Sequence, residues 1–358
     1  MRIAHVVNSL EVGGAETLVA QLCRLQRQSG HAPAVHCLVQ GGPLQERLRR
    51  DGIPVFVHGP GRRWQVAWRV YRGFRETRPD VVHCHNVKAT INAAPLARLA
   101  GVRRVLCTRH SLVLPPQPVK QERLFWLAAR CCQRVVAVCE ATRRNLRLTS
   151  GARPAQIVTL RNGAAPAPVG MNDNDMPSKE GFTLLHVARM SPVKDQATLL
   201  RAVALARADV PDLRLWLVGD GPERGNLQCL AQELHLEACV SFGGERSDVG
   251  NWLARADAFV LCSLSEAMPM SLLEALAAGL PLIVTDVGAM PEVARLSGAG
   301  LVVPPRDVTA LAQAITDLAQ RRDQLPALGA AARRCYEDHF RPEIMADGYA
   351  RLYQECGG

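Results

Sequence analysis

No stretch of the chain approaches the roughly 20 apolar residues that a membrane-crossing helix needs. The greasiest segment, Leu272 to Val287, is interrupted by Glu274, Gly279, Pro281 and Asp286. The amino terminus, MRIAHVVNSL, turns polar after seven residues, too soon for the apolar core of a secretion signal. No C-x-x-C pair occurs among the 12 cysteines, which are scattered through apolar segments such as VVAVCEA and AFVLCSL. Such cysteines behave as small buried hydrophobes, so reduced thiols and a cytoplasmic location are expected. The fingerprint G-x-G-x-x-G is also missing. Glu11-Val12-Gly13-Gly14-Ala15 follows the first apolar run instead, which argues against a dinucleotide oxidoreductase.

What is present is an uneven charge. Residues 1–170 hold 26 basic and only 8 acidic side chains, and 24 of those 26 are arginine. Residues 171–358 hold 17 basic and 25 acidic ones. The formal net charge of +10 therefore joins a basic half to an acidic half. A chain of 358 residues also exceeds the ~250–300 at which single cores stop growing. Two globular domains with different partners are expected. A nucleic-acid-binding protein would use the basic half, but no DNA or RNA motif accompanies the charge, and no nucleic acid is expected as partner.

The organisation is α/β. An apolar run, Ile3 to Val7, leads through Gly13-Gly14 into a helical pattern from Ala15 to Gln28. Further β-like runs follow at 34–39, 55–57, 81–83, 105–108 and 135–138, most of them separated by amphipathic stretches. That alternation means a parallel sheet covered by helices on both faces. Residues 164–181, rich in Pro, Gly, Asn and Asp, break the rhythm and read as a linker. The pattern then restarts, with strands expected at 182–187, 213–218, 240–242, 258–261 and 282–285. The expected division is a first Rossmann-like domain over 1–165, a linker over 166–181 and a second Rossmann-like domain over 182–341.

The densest chemistry lies in SLSEAMPMSLLEALAAGLPLIVTDVGAMPEV, residues 263–293. Glu266 ends the loop after the 258–261 strand, and Glu274 falls in the first turn of a helix expected over 271–278. Two readings of Glu274 stand side by side. Ser271-x-x-Glu274 fits a capping box that serves only its own helix. Alternatively, the free N–H groups near that helix start suit a phosphate, and a carboxylate one turn away suits a ribose.

Several ordered motifs decide what the chain resembles. They are GGAE at 13–16, DVVHCH at 80–85, TRHS at 108–111, RNG at 161–163, HVARMSPVKDQATLLRA at 186–202, LVGDGP at 217–222 and the E-x7-E stretch at 266–274. In this order they resemble the retaining glycosyltransferases of family 4, also called group 1, over nearly the whole chain. The resemblance implies the GT-B fold, two Rossmann-like domains facing a central cleft, with a final helix over 342–358 that returns to the first domain. It implies a hexosyltransferase that takes a nucleotide-sugar, UDP- or GDP-linked, and retains anomeric configuration. The acceptor would be a glycan or a lipid-linked sugar, in cell-surface polysaccharide or glycolipid synthesis. A nucleotide-sugar epimerase of the same fold is the alternative.

The same resemblance gives residues their roles. Arg189 and Lys194 match a basic pair on the donor diphosphate. Glu274 matches the ribose ligand, and Glu266 the residue facing the donor sugar. The backbone of Met268, Pro269, Met270, Ser271 and Leu272 matches the segment that meets sugar and pyrophosphate. Gly13 and Gly14 match a loop approaching the donor, where a side chain would collide. Gly219 and Arg246 lie beside the nucleotide, and His110 is the histidine near the transferred sugar. No cofactor and no metal in the site are expected. Asp173-Asn174-Asp175 has the look of a D-x-D metal motif but sits in the linker, so it reads as loop.

His83 and His85 are expected to alternate across their strand end, so that only one faces the cleft. His85 is the better candidate, although a buried structural histidine fits equally. The stretch RRWQVAWRVYRGFRETR at 62–78 is expected to be a helix with Trp64, Ala67, Trp68, Tyr71 and Phe74 on one broad face. It either packs that face on the core or lies on anionic lipid. A second candidate surface is LVLPPQPVKQERLFWLAARCCQR, just after His110. Peripheral attachment to the inner face of the cell membrane is the corresponding expectation.

Overall fold

The computed structural model describes residues 1–11, 13–113, 119–149, 154–170 and 176–357. Asp173 to Asp175 and part of the stretch after His110 lie outside the described residues. The chain forms two compact units, Met1–Gly163 with Pro342–Gly358, and Ala164–Arg341.

The first unit runs β1 (Arg2–Val7), α1 (Gly14–Gln28), β2 (Ala32–Cys37), α2 (Pro43–Arg50), β3 (Val55–Val57), α3 (Arg63–Thr77) and β4 (Val81–His85). It continues with α4 (Asn86–Leu99), β5 (Arg104–Arg109), α5 (Val119–Ala129), β6 (Arg134–Ala137), α6 (Glu140–Thr149) and β7 (Ile157–Thr159). The seven strands are parallel in the order β3-β2-β1-β4-β5-β6-β7. Strands buried on both faces need near-continuous apolar residues, and Val81, Val82, Val105, Leu106, Val135 and Val136 are all inaccessible to solvent.

The second unit runs α7 to α13 between and after its strands. These are β8 (Phe182–Val187), α7 (Gln196–Ala206), β9 (Leu213–Val218), α8 (Arg224–Glu233), β10 (Val240–Gly244), α9 (Val249–Arg255) and β11 (Ala258–Leu261). Then come α10 (Met270–Ala277), β12 (Leu282–Thr285), α11 (Met290–Ser297), β13 (Gly300–Val303), α12 (Val308–Gln320) and α13 (Leu325–His339). The order β10-β9-β8-β11-β12-β13 is the doubly wound arrangement, reversing between β8 and β11. The first sheet reverses likewise between β1 and β4.

Two expectations change. The linker is not a free tether: residues 164–170 belong to the second unit. Gly170 N donates to Asn251 Oδ1 at 2.7 Å, and a side chain at Gly250 would collide with the carbonyl of Pro168. The second change concerns α3. Its core face is Val70, Gly73 and Phe74, whereas Trp64 and Trp68 are 65% and 59% exposed. The helix is rotated from the expected face because the small Gly73 seats it against His36 and His58. The last helix, α14 (Pro342–Glu355), lies in the first unit, with Tyr349 and Tyr353 fully buried.

One buried ion pair anchors the end of β5. Arg109 is fully buried, and its guanidinium meets both Glu122 oxygens at 3.1 and 3.2 Å. It also lies 4.8 Å above the Phe125 ring, so its charge is compensated on two sides. The next residue in the chain is His110.

Candidate active site

In the second unit the crevice lies at the carboxyl ends of β8 and β11, where the strand order reverses. The backbone after β8 is clamped to its neighbours before any side chain matters. Ala188 N donates to Val218 O at 3.1 Å, and Met190 N donates to Asp220 O at 2.9 Å. Gly219 permits this approach: its φ is +127°, and a Cβ there would stand 2.1 Å from the Ala188 carbonyl oxygen.

Residues Pro192–Lys194 then form a single 3-10 turn, and Asp195, at φ +51°, redirects the chain into α7. β11 holds this turn from the other side. Leu264 N donates to Val193 O at 2.8 Å, and the Cys262 thiol donates to Lys194 O at 3.3 Å. The consequence is an ion pair between Lys194 Nζ and Glu266 Oε1, with Ser263 Oγ donating to the same oxygen at 2.8 Å. Arg189 is exposed, and its guanidinium has no hydrogen-bond or ion-pair partner among the described residues. Lys194 and Glu266 are thus brought together, and Arg189 precedes the same turn.

The helix start differs from the capping-box reading of Glu274. The N-cap is Pro269, whose φ of −71° is already suited to a helix, and α10 begins at Met270. Ser271 is therefore the second helical residue and Glu274 the fifth, two residues too far in to close the box. No side chain caps this end. Glu274 itself has no hydrogen-bond or ion-pair partner among the described residues, and burial pushes its carboxyl up to about 7. Arg246 is engaged differently: it forks both nitrogens onto Asp248 at 2.7 Å and lies 5.8 Å from the Trp252 ring.

In the first unit, the carboxyl ends of β1, β4 and β5 gather a polar cluster. His83 and His85 occupy alternate positions of β4, and alternate positions share one face. The expectation that only one could face inward is therefore corrected: both are buried, with ring centroids 4.1 Å apart. His85 hydrogen-bonds His5 at 3.0 Å and His110 at 3.1 Å. His83 bonds Tyr353 Oη at 2.8 Å and Thr108 Oγ1 at 2.7 Å. Burial pushes His5 and His110 down to about 4 and holds His83 and His85 well below the usual imidazole range.

His5, His83 and His85 place nitrogens within 4.8 Å of one another, a spacing compatible with a metal ion. All six of their ring nitrogens already have hydrogen-bond partners. Holding a metal would require breaking that network. His5, Gln26, Tyr349 and Tyr353 were not singled out from the sequence. A histidine inside the apolar IAHVV run was the available signal, since a buried polar side chain needs a partner.

A cavity of about 260 Å³ adjoins this cluster, lined in part by Asn8, Glu16, His85, Asn86, Lys88 and Ser111. Gly13 has extended backbone, and a Cβ there would meet only the flexible Glu16 carboxylate. The fold itself therefore does not demand glycine at 13.

Family models account for most of the chain. Residues 12–167 match the one described as Glycosyltransferase Family 4, and 173–334 the one described as Glycosyl transferases group 1. A GDP-mannose-dependent alpha-(1-6)-phosphatidylinositol monomannoside mannosyltransferase of Mycobacterium tuberculosis is 30% identical over 270 residues, 71% of this chain and 70% of that protein. The chain belongs to glycosyltransferase family 4.

An N-acetyl-alpha-D-glucosaminyl L-malate synthase of Bacillus anthracis is 33% identical, over 48% of this chain and only 45% of that protein. The structure of HepE from Anabaena in complex with UDP and glucose superposes with a TM-score of 0.87 at 22% identity, covering 99% of each chain. That likeness establishes the GT-B fold of two Rossmann-like units.

The carboxyl of Glu274 gives a signed prediction. With its pKa raised from 4.5 to about 7, its stabilising share is full below 4.5 and lost above about 7. Glu274→Gln should therefore gain stability over the parent across that interval, by up to about 3 kcal/mol. Urea denaturation at a series of pH values reads this directly, and a pH-independent difference would contradict it.

Proposed function

We propose that the protein transfers a hexosyl group from a UDP- or GDP-linked sugar to a glycan or lipid-linked acceptor, with retention of configuration. The observation that carries this reading is the Lys194–Glu266 ion pair at the β8/β11 reversal, with the unpartnered Arg189 before the same turn. Two fixed cations there meet the charge that grows on a departing diphosphate. They supply the positive charge themselves, and the reading assigns no metal and no cofactor to the site.

When a diphosphate arrives, Lys194 has an anion to bind in place of Glu266. The released carboxylate then accepts from hydroxyls of the donor sugar, while Ser263 keeps it oriented. The start of α10, Met270 to Leu272, where no side chain caps the helix, offers N–H groups to the sugar and pyrophosphate, and Glu274 takes the ribose hydroxyls. Gly219 lets the nucleotide pass close to backbone, and Arg246, stacked near Trp252, flanks the base.

His110 carries a buried Nδ1 that has no partner among the described residues, and it serves the transferred sugar, either as acceptor for a hydroxyl or beside the developing oxocarbenium charge. The absence of an assigned nucleophile favours attack on the same face, assisted by the leaving phosphate. Acceptor hydroxyls enter the 260 Å³ cavity, and Gly13 and Gly14 leave room for the donor. The UDP and glucose of the HepE complex and the mannosyl donor of the mycobacterial relative support the choice of donor class. They also support a place in cell-surface polysaccharide or glycolipid synthesis.

Among the described residues no helix is long and apolar enough to cross a membrane. We propose instead that α3 rests on an anionic surface, on the cytoplasmic face. Trp64 and Trp68 are exposed one turn apart, and Arg63, Arg72 and Arg75 are exposed beside them. Aromatic rings at the headgroup level with flanking arginines suit that interface.

Two measurements test these readings. Thermal-shift screening against UDP-, GDP- and ADP-sugars should single out one nucleotide, and Lys194→Ala should abolish both the shift and sugar transfer into a membrane extract. A Lys194→Ala enzyme with full transfer activity would end the site assignment. Separately, the full chain should sediment with phosphatidylserine-containing vesicles, and Trp64→Ala with Trp68→Ala should release it. Equal sedimentation of both proteins would remove α3 from the interface.

A further inference from the structure

The histidine cluster has a direction. Gln26, on α1, turns its Nε2 toward Tyr353 Oη at 3.4 Å, which leaves Oε1 facing His5 Nε2 at 2.8 Å. A carboxamide oxygen only accepts, so the His5 proton sits on Nε2 and its Nδ1 is a lone pair. His85 Nε2 lies 3.0 Å from that lone pair and must donate to it. The same logic repeats one ring further: His85 Nδ1 accepts, and His110 Nε2, 3.1 Å away, donates. What remains is His110 Nδ1, buried and without a partner among the described residues.

Neutrality makes this ordering strict. A protonated ring would donate from both nitrogens and break the head-to-tail sequence. Burial keeps all three rings uncharged at neutral pH, since each is shifted far below the usual imidazole range. His83 packs against His85 but sends its own two bonds to Tyr353 and Thr108, so it does not interrupt the series. The last ring is also held by its backbone, because His110 N donates to Asn86 Oδ1 at 2.9 Å.

We infer that Gln26 sets the tautomer of His110, through His5 and His85, so that His110 presents the Nδ1 lone pair to the transferred sugar. Gln26 is a positioning residue, three hydrogen bonds from the chemistry. The inference rests on the reading of His110 given above. A lone pair there accepts from a sugar hydroxyl and favours developing positive charge, whereas an N–H would do neither. The opposite tautomer could only donate to that hydroxyl and would point an N–H at the developing positive charge.

The test is histidine 15N NMR of the full chain, which distinguishes protonated from lone-pair nitrogens without any substrate. In the parent protein His110 Nδ1 should read as a lone-pair nitrogen and Nε2 as protonated. Gln26→Met strands the His5 Nε2–H, and a buried orphan donor is costlier than an orphan acceptor. Reversal would only move that orphan donor to the equally buried His110 Nδ1, so neither direction is favoured and His110 Nδ1 should read as a mixture of protonated and lone-pair nitrogen. Gln26→Glu keeps an acceptor and should keep the parent pattern. A protonated Nδ1 in the parent, or an unchanged Nδ1 in folded Gln26→Met, overturns the inference. Should Gln26→Met fail to fold, the parent spectrum and Gln26→Glu decide alone: a protonated Nδ1 in either overturns it, and a lone pair in both bears it out. Full transfer by His110→Ala would defeat the functional reading of His110 and leave the tautomer result standing.

Discussion

The ion pair between Lys194 and Glu266 is the interaction on which the second unit's site depends. Both side chains are largely withdrawn from water, at 20% and 12% exposure, so neither charge is stable there without the other. Removing one partner of such a pair exposes the survivor to an uncompensated desolvation penalty, whereas exchanging it for a ligand of the same sign does not. The pair therefore acts as a placeholder. It keeps a cation at the carboxyl edge of the sheet, and an incoming anion can replace the carboxylate provided that the donor's hydroxyls, with Ser263, then meet the released Glu266.

The backbone supplies the rigidity that makes such an exchange useful. The turn carrying Lys194 is tied to β11 through Leu264 and Cys262, and the segment before it is tied to β9 through Ala188 and Met190. Gly219 is the element that lets those two loops touch. The first unit solves the same problem with side chains. Its histidines are desolvated, uncharged and fully hydrogen-bonded up to His110, and α14 closes the cluster with Tyr349 and Tyr353. Leaving a member of such a buried network unsatisfied is costly, and among the described residues His110 Nδ1 is the position this cluster leaves open.

Much of this was legible in the sequence because buried parallel strands are written as apolar runs. Phe182–Val187 and Leu213–Val218 emerge with their observed bounds for that reason. Two strands escaped notice, Ile157–Thr159 and Gly300–Val303. Both lie at sheet edges, and both are only half buried, so their apolar signal is diluted. β4 runs on to His85 because a paired histidine is as buried as a valine, a fact hydropathy does not encode. Of the two readings of α3, core-packed or outward-facing, Trp64 and Trp68 follow the outward one because Gly73, not ring size, chooses the packed face. At the site, Lys194 and Glu266 were singled out by family resemblance. Ser263, Gln26 and His5 were not, since their importance lies in partners distant along the chain.

A structure determined with a bound nucleoside diphosphate tests the account most directly, with UDP and GDP as the two ligands to try. The terminal phosphate should lie between Arg189 and Lys194, with Glu266 released from the lysine and the ribose hydroxyls on Glu274. A nucleotide seated instead against Asn8, Glu16 and Lys88 of the first unit, with the Lys194–Glu266 pair intact, would contradict it.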